Sequence, residues 1–233
     1  MFTVLLYTHN SLSPAFWHLT TSTLARAVDA AKLEGGEPPE VIVLANEEVP
    51  LPRSDWRLVA GAKGARGLPD CWGKISHGAN MAKHGLVYTC EHDVLYPQTY
   101  FLHPPPATPY GYWYNHHLWC LDARGFYRSH DNWNRRVTSN MACDRDLLRK
   151  TARDRVEFLA KGGRLQWDEP GMMHRANGYP YDEPPMHRYM TMDPVVDIRL
   201  PGCLTGARHA FNGEYLPILA PWGAASVILG SIQ

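Results

Sequence analysis

The chain has 233 residues, 45% of them hydrophobic and 20% charged, with 23 basic against 23 acidic side chains. That is globular composition, enough for one full core and at most a small appended subdomain. A formal net charge of zero excludes bulk electrostatics as the basis of nucleic-acid binding, while leaving room for a local patch.

TVLLYT (3–8) is a short apolar, partly β-branched run ending in His9-Asn10, which fits a buried parallel strand. Residues 14–33 carry Leu19, Leu24, Ala27, Val28, Ala31 and Leu33 at near-helical spacing, and Gly35-Gly36 with Pro38-Pro39 stop the helix. VIVLAN (41–46) reads as a second buried strand, again ending in a polar residue. A stretch with Gly, Lys and Arg (61–67) leads into a helix expected over about 72–84, then into LVYTC (86–90). Strand, helix, strand, helix, strand implies right-handed crossovers and a mixed, mainly parallel α/β sheet flanked by helices.

HPPPATP (103–109) is a rigid turn segment, and the aromatic YGYWYNHHLWCLD (110–122) reads as one strand. CDRDLLRKTARDRVEFLA (143–160) is the clearest helix, ended by Gly162-Gly163, and residues 165–194 read as irregular structure over the site. The tail YLPILAPWGAASVILGSIQ is apolar but broken by Pro217, Pro221 and Gly223, so packing on the core is expected rather than a membrane span. MFTVLLYTHN lacks a basic leader, and its apolar run is short for a signal peptide. Five cysteines, with no CxxC pair, favour free thiols in a reducing cytosol. A soluble protein is expected.

In such sheets the ligand sits outside the carboxyl ends of the strands. His9-Asn10, Asn46 and Glu91-His92-Asp93 are therefore expected to converge on one crevice. Carboxylates are rarely buried without a partner. Something positive belongs at the acidic triplet: an Arg or Lys from elsewhere, or Mg²⁺ or Mn²⁺ bridging to a diphosphate. Alternation along an extended segment puts Glu91 and Asp93 on one face and His92 behind them.

A strand running into acid-x-acid resembles the metal motif of nucleotide-sugar glycosyltransferases of the GT-A fold, and LLYTHN (5–10) looks like that fold's opening strand. More narrowly, EHDVLYP (91–97), TSNMACDRDLL (138–148) and VVDIRLPGCLTGAR (195–208) are similar to the phage-type, TET-associated glycosyltransferases acting on 5-hydroxymethylated pyrimidines in DNA. The first acid here is Glu rather than Asp, and Leu200 stands where a polar residue is expected, leaving His209 as the nearest third ligand.

The resemblance implies one domain, with residues 1–100 holding the nucleotide sugar and 101–233 forming the acceptor half and a C-terminal packing segment. It implies a UDP-sugar donor and Mn²⁺ or Mg²⁺. Asp93 would bind the metal, with Glu91 meeting it through water or holding the ribose. Thr8, Asn10 and Asn46 are candidates for hydrogen bonds to base and ribose, and Lys63 and Arg66 for the diphosphate. An inverting reaction needs a carboxylate to take the acceptor's proton; Glu169 of DEPG stands first, then Asp168 and Asp144. A retaining one needs none. The cytosol of a phage-infected bacterium would be its place.

Residues 124–164 hold eleven basic residues against five acidic ones, interleaved with Tyr127 and Trp133. Arg128, Trp133, Arg135, Arg136 and Arg145 are candidate DNA contacts, through phosphate pairing and stacking on a displaced base. Local pairs would absorb part of the excess: Asp146 with Arg149 or Lys150, Lys150 with Asp154, Glu157 with Arg153 or Lys161. Two other readings stay open. One is a transferase of the same fold acting on a glycan, lipid or small molecule; the other is a non-catalytic nucleotide-binding domain with Glu91 and Asp93 in a salt bridge. A zinc hydrolase is disfavoured, since His116 and His117 are adjacent and no HxxxH or HExxH occurs.

Overall fold

The computed structural model describes residues 1–35, 38–61, 67–106, 108–129, 136–165, 169–171, 178–200, 203 and 215–232. The first half runs β1 (Phe2–Tyr7), α1 (Pro14–Gly35), β2 (Glu40–Ala45), β3 (Arg57–Ala60), α2 (Leu68–Met81), β4 (Leu86–Glu91) and β5 (Val94–Leu95). The second half begins with β6 (Tyr112–Asn115), β7 (Leu118–Asp122), β8 (Tyr127–Ser129), a 3-10 turn (Thr138–Asn140), β9 (Met141–Asp144) and α3 (Arg145–Ala160). It closes with β10 (Met186–Tyr189), β11 (Val195–Arg199), β12 (Tyr215–Leu216), β13 (Ile218–Leu219), β14 (Gly223–Ala224) and α4 (Ala225–Gly230).

Seven strands form the main sheet in the order β10-β6-β9-β4-β1-β2-β3, parallel except for β9. Both faces are covered, so β1 and β2 read as unbroken apolar runs instead of alternating ones. Val4, Leu6, Val41 and Val43 pack with Leu24, Ala27 and Val28 of α1. On the other face Leu5, Tyr7, Ile42 and Leu44 meet Trp72, Ile75 and Ala79 of α2, with Leu147, Leu148 and Ala152 of α3 beside them. Helix α2 comes in close at Gly78, where an added Cβ would lie 2.7 Å from Leu44 Cδ1 and 3.0 Å from Leu5 Cδ2. The expected α/β architecture, mixed and mainly parallel, is the observed one.

A second sheet, β12-β8-β7-β11-β5, stands beside it. One face buries Leu95, Leu121, Tyr127, Val196 and Ile198 against Phe16 and the tail residues Leu219, Ala225, Ile228 and Ile232. On its other face Val94, Asp197, Cys120, Arg128 and Tyr215 form one register row. The tail packs on the core as its composition implied, and no helix among the described residues is long and apolar enough to cross a membrane.

Local differences have local causes. The segment 110–122 is two strands in different sheets, broken at His116-His117, where Asn115 Oδ1 accepts from His117 N at 3.0 Å and Thr191 N at 3.2 Å. Helix α2 starts early, at Leu68, because Gly67 (φ 81°) makes the turn and Pro69 fits the first helical positions. Cys143 belongs to β9 and α3 begins only at Arg145. Residues 186–189, expected to be irregular, form the edge strand β10.

Candidate functional site

The parallel strands β1, β2, β4 and β6 deliver Tyr7, Ala45, Glu91 and Asn115 to one edge of the main sheet. Glu91 ends β4 opposite Tyr7 of β1, and the Tyr7 hydroxyl donates to Glu91 Oε1. The Glu91 amide donates to the Tyr96 hydroxyl at 2.9 Å. His92 and Asp93 then form a turn into β5. Strand alternation therefore stops at Glu91, and it is this turn that places Asp93.

Asp93 is 1% exposed, and neither carboxylate oxygen meets a hydrogen-bond partner among the described residues. The chain around it is fixed, with Ile198 N donating to Asp93 O at 2.9 Å. Asp197 and Arg199, on the same face of β11, form an ion pair beside it. Burial works against the Arg199 charge, but Asp197, Asp93 and Glu91 outweigh it and hold the guanidinium firmly protonated. Burial first, then the Asp93 charge, push the Glu91 carboxyl up to about 8, with the Tyr7 hydrogen bond pulling the other way. Three carboxylates thus couple around Arg199, and one of them, Asp93, lacks a hydrogen-bond partner among the described residues. Among the described residues the cluster is short of positive charge.

His92 is buried with Nδ1 3.4 Å from Tyr7 O, its ring edge-on to His9 at 4.6 Å between centroids. Burial holds its imidazole below the usual range, against the opposing pull of Asp93. Lys74 of α2 is near enough to add to that lowering, and it pairs with Asp70 at 2.6 Å. Both line a cavity of about 330 Å³ at the ends of β2 and β3, with Ala45, Ala60 and Gly61. A larger cavity of about 650 Å³, between α1, the segment after β5 and the tail, is lined by neither Glu91 nor Asp93. No group of three or more His, Cys, Asp or Glu among the described residues is placed to hold a metal alone. An ion at Asp93 would complete its shell from water and ligand oxygens, as Mg²⁺ commonly does.

The other sequence candidates separate clearly. Thr8 is buried and its Oγ1 accepts from Asn10 N at 3.0 Å. Asn10 sits at φ 62°, its Oδ1 accepting from Asn46 N at 2.8 Å and its Nδ2 donating to Glu47 O at 3.2 Å. It clasps the ends of β1 and β2 together, an arrangement that shapes the edge. Glu169 is half-buried near Tyr114. Tyr114 lies two strands from Thr89 in register, about 10 Å across the same edge. Arg136 and Arg188 are also on this side; with burial as the larger cause, their charges drive the His116 imidazole down to about 4. Lys63, Arg66, Trp133, Arg135, Asp168 and His209 lie outside the described residues.

Asp144 does not fit the proton-acceptor role here. It pairs in register with Leu86, the far end of β4 from Glu91, and caps α3, its Oδ1 accepting from Asp146 N at 2.8 Å and Leu147 N at 3.1 Å. Asp144→Ala is expected to lower stability by about 1 kcal/mol in urea unfolding, with Asp144→Ser restoring most of it. Lost activity at unchanged stability would return Asp144 to the chemistry. Arg145 shares that far edge, its amide bound to Gly85 O at 2.7 Å. Arg128 is buried, paired with Asp122 at 2.9 Å and 4.4 Å from the Tyr215 ring centroid. Sequence reasoning assigns no role to Tyr7, Tyr96, Asp197 or Arg199. A charged pair two residues apart inside the apolar strand VVDIR is the signal that was available.

No protein-family model and no curated protein matches the chain. Among solved structures it is similar to 2-C-methyl-D-erythritol 4-phosphate cytidylyltransferase from Thermus thermophilus, at 14% identity over 90% of this chain and 92% of that one, with TM-score 0.41. It is also similar to CMP:2-keto-3-deoxy-manno-octonic acid synthetase complexed with CTP, at 9% identity over 84% of this chain and 93% of that one, with TM-score 0.41.

Proposed function

We propose that the chain is a metal-dependent glycosyltransferase moving a sugar from a nucleoside diphosphate, UDP in the first instance, to an acceptor hydroxyl. One observation carries this reading: the Asp93 carboxylate is buried at the site edge with neither oxygen partnered among the described residues. A carboxylate so placed is stabilised by a cation. Mn²⁺ or Mg²⁺ suits it, because such ions take one or two carboxylates and fill the remaining positions with water and phosphate oxygens. When bound, the ion supplies Lewis acidity to the departing diphosphate.

Asp93 would hold the ion, and Glu91, tethered by Tyr7, would meet it through water or hold the ribose. Arg199 pairs with Asp197, which leaves Asp93 as the carboxylate with no hydrogen-bond partner among the described residues. The cavity at the ends of β2 and β3, lined by the Lys74–Asp70 pair, takes the nucleoside. Glu169, on the same edge, is the proposed base if configuration inverts. The proposed acceptor is the hydroxymethyl group of a modified pyrimidine in DNA. Its support is the family resemblance together with Arg136 and Arg188 on the edge that carries Glu91. The bases of α3 and its C-cap support it less, since Arg149 pairs with Asp146, Lys150 with Asp154 and Lys161 with Glu157. A bacterial cytosol is the compartment proposed.

The test is nucleoside mass spectrometry after incubation with Mn²⁺, mixed UDP-sugars and duplex containing 5-hydroxymethylcytosine. A glycosylated nucleoside is the expected product. UDP release without it would discard DNA and keep the transferase. With neither, the transferase reading fails.

A further inference from the structure

Asp93 is not alone in lacking partners at this edge. The Ser139 hydroxyl and both the Oδ1 and Nδ2 of Asn140 are buried with no hydrogen-bond partner among the described residues, and both residues are 0% exposed. They belong to the 3-10 turn that precedes β9. The backbone of this turn is well held. Thr89 Oγ1 donates to Thr138 O and to Met141 O, and Asn140 N donates to Val137 O at 2.9 Å. The turn is therefore rigid where it presents unmet side chains.

Its position relative to the acidic site follows from one hydroxyl. Tyr96 Oη donates to Ser139 O at 2.9 Å and accepts from Glu91 N at 2.9 Å. Ser139 and Glu91 are thus joined through a single oxygen, their backbones no more than two hydrogen-bond lengths apart. Buried polar groups in folded proteins nearly always have partners. Three unmet atoms on successive residues, on a turn tied through Tyr96 to the Glu91 amide, mark a place that a ligand completes.

We infer that Ser139 and Asn140 form a subsite for the hydroxyl groups of an uncharged sugar, the moiety carried by the donor proposed above, on which this inference rests. A carboxamide donates and accepts at once, as does a serine hydroxyl, and a sugar hydroxyl is the complementary group. Phosphate or carboxylate offers acceptors only and would leave the Asn140 carbonyl oxygen unmet. The subsite would select the sugar, while Asp93 and the cavity at β2 and β3 hold the nucleoside diphosphate.

Titration calorimetry in Mn²⁺ separates the two. Wild type is first titrated with UDP, GDP, CDP and ADP, then with hexose conjugates of the one that binds best. Asn140→Ala is expected to weaken the preferred conjugate about tenfold, and Ser139→Ala about threefold. Both should leave the bare diphosphate unchanged, whereas Asp93→Asn loses both ligands. Equal weakening of diphosphate and conjugate, or no change in either, overturns the subsite and leaves the donor site standing. Failure of wild type to bind any diphosphate overturns the donor reading, and the subsite with it. Should Asn140→Ala fail to fold, deoxy-hexose conjugates on wild type decide: one removed hydroxyl should weaken binding about tenfold, and indifference at every position rejects the subsite.

Discussion

Asp93→Asn is expected to unfold at a higher urea concentration than wild type in the presence of a chelator, and to lose the stabilisation wild type gains from Mn²⁺ with a nucleoside diphosphate. The first half follows from burial. A carboxylate 1% exposed, with both oxygens unpartnered among the described residues, opposes folding. Its surroundings add to this, since Asp197 brings a further carboxylate and Arg199 is engaged with it. An isosteric amide removes the charge at little change in packing, and a gain of about 1–3 kcal/mol is expected. The second half follows from linkage: a ligand at 1,000 times its Kd stabilises the folded state by about 4.1 kcal/mol, more than the whole of that gain. Wild type should therefore be the less stable protein without ligand and the more stable one with it. That reversal is hard to obtain from a residue that merely packs. A variant less stable than wild type in chelator, yet equally stabilised by Mn²⁺ and diphosphate, would remove Asp93 from the site.

The reversal also shows what kind of information the sequence holds. The runs TVLLYT, VIVLAN and LVYTC gave away the parallel strands because burial on both faces leaves no polar alternation to confuse them. The rule that ligands gather beyond strand ends then pointed at Glu91-His92-Asp93. Beyond that, local pattern was blind to partners. Tyr7 meets Glu91 across 84 residues, and Asp197 lies about a hundred residues from Asp93. Strand β9, the antiparallel insertion between β4 and β6, is four residues long and merges in sequence with the helix that follows. Asp144 misleads because an acid before an apolar helical run serves equally as a cap and as a base; only its distance along β4 from Glu91 tells them apart. Asn140 carried no signal at all, since an amide beside a strand is ordinary until its partners are counted.

Arg155 misleads most usefully. It is one of the eleven basic residues of 124–164, yet it is 0% exposed. Its guanidinium pairs with Glu183, donates to the Tyr179 hydroxyl at 2.9 Å and lies 4.8 Å from the Trp72 ring centroid. It pins α3 to α2 on one side and to the segment around residues 179–183 on the other. Burial opposes its charge, and Glu183 more than restores it. Arg155→Ala should therefore destabilise the fold by about 3–5 kcal/mol, since the Glu183 carboxylate, itself 4% exposed, is left buried without its cation. A phosphate contact predicts something different: near-native stability and a shallower salt dependence of DNA binding. Replacing both partners distinguishes the sources of the loss. Arg155→Met combined with Glu183→Leu removes the charges together, and a buried ion pair exchanged for apolar groups is often neutral. The double variant should recover more than half of what Arg155→Ala loses in urea unfolding. If it recovers nothing, the stability resides in guanidinium stacking on Trp72 and not in the ion pair. If Arg155→Ala costs less than about 1 kcal/mol, the typical effect of a single substitution, Arg155 is not the pin its burial implies.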